Sequence, residues 1–256
     1  MIEYANTQLR EGDVTILNQA KRLRDMYEYF AEGAASAYGG SGRMSETGSW
    51  RGRNLFLRET EGYYNSVAMV AAYFSWLEHI LVLGLPFNGP VDKQPSLKTF
   101  VRRPWSEKFK GVFDNHDRPK VASVYLRLQE VANQFRNAPL HGNVSATTGT
   151  IGFHLPGFGG VSMTIAEPKF TPSLFFVPFD QRGFAHARRA FASADRLLQT
   201  DRRSRYGLLW AESGLDVSYD LDSRRRYADA CRNITKFSKE VEAARLAWER
   251  AVNMDW

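Results

Sequence analysis

Arg136, Asn137 and His141 stand within six residues of one another, in Phe135-Arg136-Asn137-Ala138-Pro139-Leu140-His141-Gly142. These types suit one kind of chemistry. Histidine titrates near neutrality, so it can take or give a proton under ordinary conditions. The arginine fork fits a phosphate and stays charged. An asparagine amide can donate to a phosphate oxygen or hold an imidazole in one tautomer. Together they fit metal-independent phosphodiester chemistry. The imidazole would deprotonate a ribose 2′-OH, and the guanidinium would stabilise charge on the pentacoordinate phosphorus. With 34 Lys and Arg in the chain the spacing alone is a weak signal. The bland alternative is an arginine capping helix carbonyls with a histidine near a turn.

The element that must position the group precedes it. Val121, Val124, Tyr125, Leu128, Val131, Ala132 and Phe135 recur at helical spacing and predict a helix over about 119–137 with one apolar face. Pro139 disturbs the backbone near Ala138, because it has no N–H and drives the preceding residue out of the α region. Arg136 and Asn137 then lie at the end of a packed helix, with His141 on the continuation.

Arg136-Asn137-x-x-x-His141-Gly142 resembles the R-x4–6-H motif of the HEPN superfamily, whose nucleases carry a polar residue, often Asn, after the Arg. An earlier stretch, Tyr73-Phe74-Ser75-Trp76-Leu77-Glu78-His79-Ile80-Leu81, is similar to the first core helix of such domains, and the resemblance covers roughly residues 55–145. It implies an antiparallel helical bundle that dimerises with both motifs on one cleft. It also implies RNA cleavage without a metal or cofactor, in toxin–antitoxin, abortive-infection or other defence systems, with a cognate antitoxin as a further partner. By motif match Arg136, Asn137 and His141 carry over as catalytic residues. Glu78 joins them as a polar residue on the core helix that is often aimed at the site; the alternative is a salt bridge elsewhere or solvent.

The rest of the chain divides into an N-terminal helix and glycine-rich basic loop (1–54), the core (55–145), a small β insertion (146–180) and arginine-rich C-terminal helices (181–256). Asp13 is the expected N-cap of a first helix bearing Val14, Leu17, Ala20 or Lys21, Leu23 or Arg24, Tyr27 and Phe30; 33–42 turns small and glycine-rich, with Gly39-Gly40-Ser41-Gly42 the expected flexible break. The segment 55–83 is predicted to be a helix buried on most sides. Trp105, Phe109 and Phe113 are four apart and predict a short helix after Pro104. Beside them Arg102, Arg103 and Lys108 form a basic strip interleaved with aromatics, a composition suited to nucleic acid or to the wet side of an ordinary helix.

After the motif the period falls to two. Phe153 and Leu155, then Val161, Met163 and Ile165, predict a β-hairpin across 156–160, with a third strand at 173–177. This sheet is an arm or wall beside the site, a dimerisation arm, or a cover over one end of the bundle. Phe184, Ala187, Phe191, Ala194 and Leu198 line a helix over 181–200 whose Arg188 and Arg189 are further candidate RNA contacts. One long helix is expected from Asp222 to about Asn253, opened by Arg224-Arg225-Arg226. His116 and His154 have weaker claims: one sits in turn-forming sequence without a second metal ligand, the other on a strand.

Composition sets the bounds. Hydrophobic residues make up 43% of the 256, including 17 Phe, 11 Tyr and 6 Trp, enough for a sizeable core and against wholesale disorder. A single cysteine, Cys231, excludes an internal disulfide framework and fits a reducing compartment. The net charge of +6 favours an anionic partner such as RNA. No apolar run is expected to reach the roughly 18 residues of a membrane span, and the N-terminus does not read as a secretion signal, so a cytoplasmic location is expected.

Overall fold

A computed structural model describes residues 7, 14–42, 51–113, 118–137, 152–155, 159–166, 169–172 and 180–253. The fold is mainly helical, a helical bundle with a small antiparallel β element after the motif. The elements run β1 (Thr15–Ile16), α1 (Ala20–Gly39), α2 (Arg51–Gly84), α3 (Leu97–Val101), α4 (Trp105–Phe113) and α5 (Pro119–Val131), which continues as a π-helical segment (Ala132–Asn137). Then come β2 (Gly152–Leu155), β3 (Gly159–Ala166), β4 (Lys169–Pro172), α6 (Gln181–Thr200), α7 (Arg205–Ser213), β5 (Val217–Ser218), α8 (Leu221–Ala230) and α9 (Ile234–Val252). Two compact units share these elements, one built from Met1–Leu23, Phe74–Tyr125 and Ala194–Trp256, the other from Arg24–Tyr73 and Leu126–Ser193.

In the second unit α1 and α2 approach closely because the facing residues are small. Ala31, Ala34 and Ala37 are buried, and a Cβ on Gly33 would overlap the Asn65 side chain. The glycine-rich stretch is therefore helical through Gly39, and the chain breaks at 39–42 as expected. Gly40, at φ 88°, donates to the Ala37 carbonyl at 3.0 Å while Ser41 donates to Ser36 at 2.9 Å, a Schellman stop that needs a left-handed residue. Arg58 reaches back from α2 to the Tyr38 carbonyl at 2.6 Å. Tyr73 stacks on Phe191 at 3.8 Å between ring centres, and its hydroxyl donates to the Phe191 carbonyl at 3.1 Å, pinning α2 to α6. The hairpin forms, Leu155 pairing with Gly159 and Gly152 with Ser162, but its connection is shorter than the expected 156–160, because Gly159 and Gly160 already belong to β3. The third strand is earlier, at Lys169–Pro172, where Ala166 pairs with Lys169; the predicted 173–177 lies outside the described residues.

The first unit has an aromatic core. Phe87 lies 4.6 Å from Tyr227 and 5.2 Å from Trp210 between ring centres, and Tyr206 lies 4.9 Å from Phe237. The start of the chain differs from expectation. Residues 15–16 pair antiparallel with 217–218, and the helix begins only at Ala20; Asp13 lies outside the described residues. Asn18 supplies the reason. Its side-chain oxygen accepts from Ala20 N at 3.0 Å, and its amide nitrogen donates to the carbonyls of Ala211 and Leu215 at 2.9 and 3.0 Å. That is an Asx turn leading into the helix, tied to a segment about two hundred residues away.

The expected last helix is two. Asn233 accepts from Lys236 N at 2.9 Å and starts α9 afresh, so the chain bends at 231–233. Asp220 caps α8 in the same way, accepting from Ser223 N at 2.8 Å. Helix α2 corrects another expectation, since its best 18-residue stretch, within Leu57–Phe87, has mean hydropathy 1.6, long and apolar enough to cross a bilayer. Burial inside the protein takes up 67% of that stretch, as for the core helix of a globular bundle.

Candidate functional site

Helix α5 starts at Pro119, where a missing N–H costs nothing. It buries Val121, Val124, Leu128, Val131, Ala132 and Phe135, the apolar face read from the sequence. From Ala132 the backbone widens into π geometry, which continues through Arg136 to Asn137. The disturbance thus begins six residues before Ala138. Pro139 has no N–H for the carbonyl an α-helix would present at Phe135, and its ring would clash there. Wider turns shift that carbonyl and leave backbone groups outside the i to i−4 ladder, a distortion that recurs at functional sites. Arg136 is half-buried on this segment, one residue after the buried Phe135 anchors it. Asn137 ends the segment; His141 and His116 lie outside the described residues.

A further titratable pair flanks the motif helix and was missed in the sequence. His186 of α6 places Nε2 3.3 Å from the Glu130 carboxylate of α5. The separation suits an ion pair, but the angle is not that of a hydrogen bond, and Nε2 is otherwise enclosed without a hydrogen-bond partner among the described residues. Gln134 donates to the same carboxylate at 3.4 Å, and Arg127 donates to Ser193 at 3.3 Å, so polar contacts join α5 to α6 along this face. The signal for His186 was its place one residue before Ala187 on an apolar-faced helix, but nothing in the sequence pairs it with Glu130, 56 positions earlier.

Glu78 accepts from the Lys108 ammonium at 2.8 Å. The lysine side chain is 7% exposed and the carboxylate 24%. The sequence suggests a catalytic carboxylate and an RNA contact; the structure brings the two together as an internal ion pair linking α2 to α4. Arg102 is exposed just past α3, and Arg103 next to it is half-buried. Arg188 and Arg189 are exposed on α6, the Arg188 guanidinium lying 5.9 Å from the Phe184 ring centre. His79, next to Glu78, accepts at Nε2 from Gln19 N at 2.9 Å. Burial holds its pKa below the usual histidine value, which keeps it the neutral acceptor this bond needs.

Arg224 of the expected basic run is structural. Its guanidinium donates to Gln94 Oε1 at 2.9 and 3.1 Å and to the Val91 carbonyl at 3.0 Å. Among the described residues no group of three or more His, Cys, Asp or Glu is placed to hold a metal ion. No family model, no curated protein and no solved structure matches the chain.

Proposed function

We propose that this chain is a metal-independent endoribonuclease of the HEPN type, a cytoplasmic toxin or defence effector that works as a homodimer with a composite active site. The observation that supports this reading is the π-helical end of α5, which carries Arg136 and Asn137 out of a packed helix just before His141. His141 takes the proton of a ribose 2′-OH as its oxygen bonds to phosphorus. Arg136 offsets the charge on the non-bridging oxygens. Asn137 orients the imidazole or the phosphate. The bond to the 5′-oxygen then breaks, that oxygen is protonated, and the products end in a 2′,3′-cyclic phosphate and a 5′-OH. Arg102, Arg103, Arg188 and Arg189 would hold RNA by charge, with salt-sensitive affinity. A cognate antitoxin would occlude this surface.

The second reading is a non-catalytic dimeric module that holds RNA or a nucleotide. It is favoured by the pairing of Glu78 with Lys108, which commits the core-helix carboxylate to an internal contact. RNA cleavage in the presence of chelator by wild type, Arg136→Ala and His141→Ala separates the two. The nuclease reading expects cyclic-phosphate ends from wild type and at least a hundred-fold loss in each variant, the scale of general acid–base and oxyanion contributions. Equal cleavage by all three, or by none, refutes it.

A further inference from the structure

The first unit contains a cleft of about 810 Å³ beside the 85–95 segment and α8, remote in sequence from the motif. Among the described residues five cations line it, Lys93, Arg202, Arg203, Arg225 and Arg232, against one carboxylate, Asp229. They come from three separate stretches of chain, so folding has gathered like charges that the sequence keeps apart. Such crowding opposes the compact state unless an anion joins it.

The frame beneath these cations is built rather than loose. Gln94 donates to the carbonyls of Pro86 and Gly89 at 3.2 and 3.1 Å, folding the 85–95 segment onto itself. Arg224 then clamps that segment to α8 through Gln94 and Val91. Leu85, Phe87 and Ala228 add an apolar element to the lining. Two of the ion pairs already present are exchangeable. Arg225 meets Asp222 at 3.4 Å and Arg232 meets Asp229 at 3.0 Å, both as exposed neighbours three residues apart, a class of contact that holds weakly in water. A phosphate offers each guanidinium a charge-assisted, two-pronged partner instead.

We propose that this cleft binds a small ligand carrying two or more phosphates, of the nucleoside triphosphate class. The volume lies in the range of small-molecule sites rather than that of an extended nucleic-acid groove. The site does not depend on the RNA-cleavage reading. Its occupant would bridge the 85–95 segment, the turn after α6 and α8, and so stiffen the first unit.

Calorimetric titration of the full chain with ATP, with tripolyphosphate and with a 20-nucleotide RNA at low ionic strength tests this. ATP and tripolyphosphate should bind, more weakly as salt rises. An Arg202→Glu, Arg225→Glu double variant should weaken both at least ten-fold while keeping the wild-type circular dichroism, since both side chains are exposed. An Arg245→Glu, Arg250→Glu variant on α9 makes the same change in net charge and should leave binding intact. Binding of ATP alone would assign part of the affinity to the nucleoside, and binding of both to the phosphates; either supports the proposal. It is overturned if neither polyphosphate binds, if only RNA binds, or if the α9 variant weakens binding as much as the cleft variant.

Discussion

Replacing Lys108 by Met removes one end of the Glu78 pair and keeps the volume of the stem. At 2.8 Å the Coulomb attraction is about 6 kcal/mol for an effective dielectric of 20. Much of that offsets the cost of taking both charges out of water, and deleting one partner of a buried pair typically costs about 3–5 kcal/mol. The Glu78 side chain keeps 24% exposure, so water recovers part of the loss and the lower end applies, about 3 kcal/mol. For a chain of this size that lowers the melting temperature by roughly 6–10 °C. The partner variant Glu78→Gln leaves a 7%-exposed ammonium without its anion and should cost a similar amount. The double variant should recover about 2 kcal/mol relative to the sum of the singles, because neither charge is then stranded. Urea unfolding of the four proteins measures the cycle. RNA affinity, measured on the same proteins, should be unchanged by Lys108→Met. A cost below about 0.5 kcal/mol together with a loss of RNA affinity would refute the argument and return Lys108 to the binding surface.

Further expectations follow from other contacts. A Cβ on Gly207 would overlap the Cα of Gly84 where α7 crosses the end of α2, so Gly207→Ala should cost about 1–3 kcal/mol in chemical unfolding, while Gly214→Ala, in open space, should show only its left-handed backbone penalty. The pKa of His79 is lower folded than unfolded, so the unfolded chain binds the extra proton first: stability is full above the unfolded value near 6.5 and falls as pH drops below it towards the folded value. Thermal unfolding at pH 7.5 and 5.5 should show that loss, smaller in His79→Gln. Burial pushes the Cys231 thiol up to about 12, so iodoacetamide at pH 8 should modify it far more slowly than a free thiol, and a rate equal to that of glutathione would contradict its half-buried placement.

The sequence by itself determined what is periodic. The apolar face of α5, the burial of α2 on most sides, the span of α6 and the β-hairpin at 152–166 are each set by repeats of 3.6 or 2, because burial of one face is the largest local driving force and leaves its mark in residue order. The place of Arg136 and Asn137 at the end of that helix was equally legible, since the apolar face that sets the helix and the proline behind it are neighbours in the chain. Tertiary structure decided whatever depends on a partner far away. Thr15 and Ile16 became a strand because residues 217–218 receive them, and α1 begins at Ala20 because Asn18 anchors to Ala211 and Leu215. Glu78 met Lys108, His186 met Glu130, and Arg224 was drawn to Gln94, three pairings between charged or polar groups that no period announces. A hydrophobic face declares itself through a whole run of residues. A polar contact rests on two side chains and one distance, and only the folded chain fixes that distance.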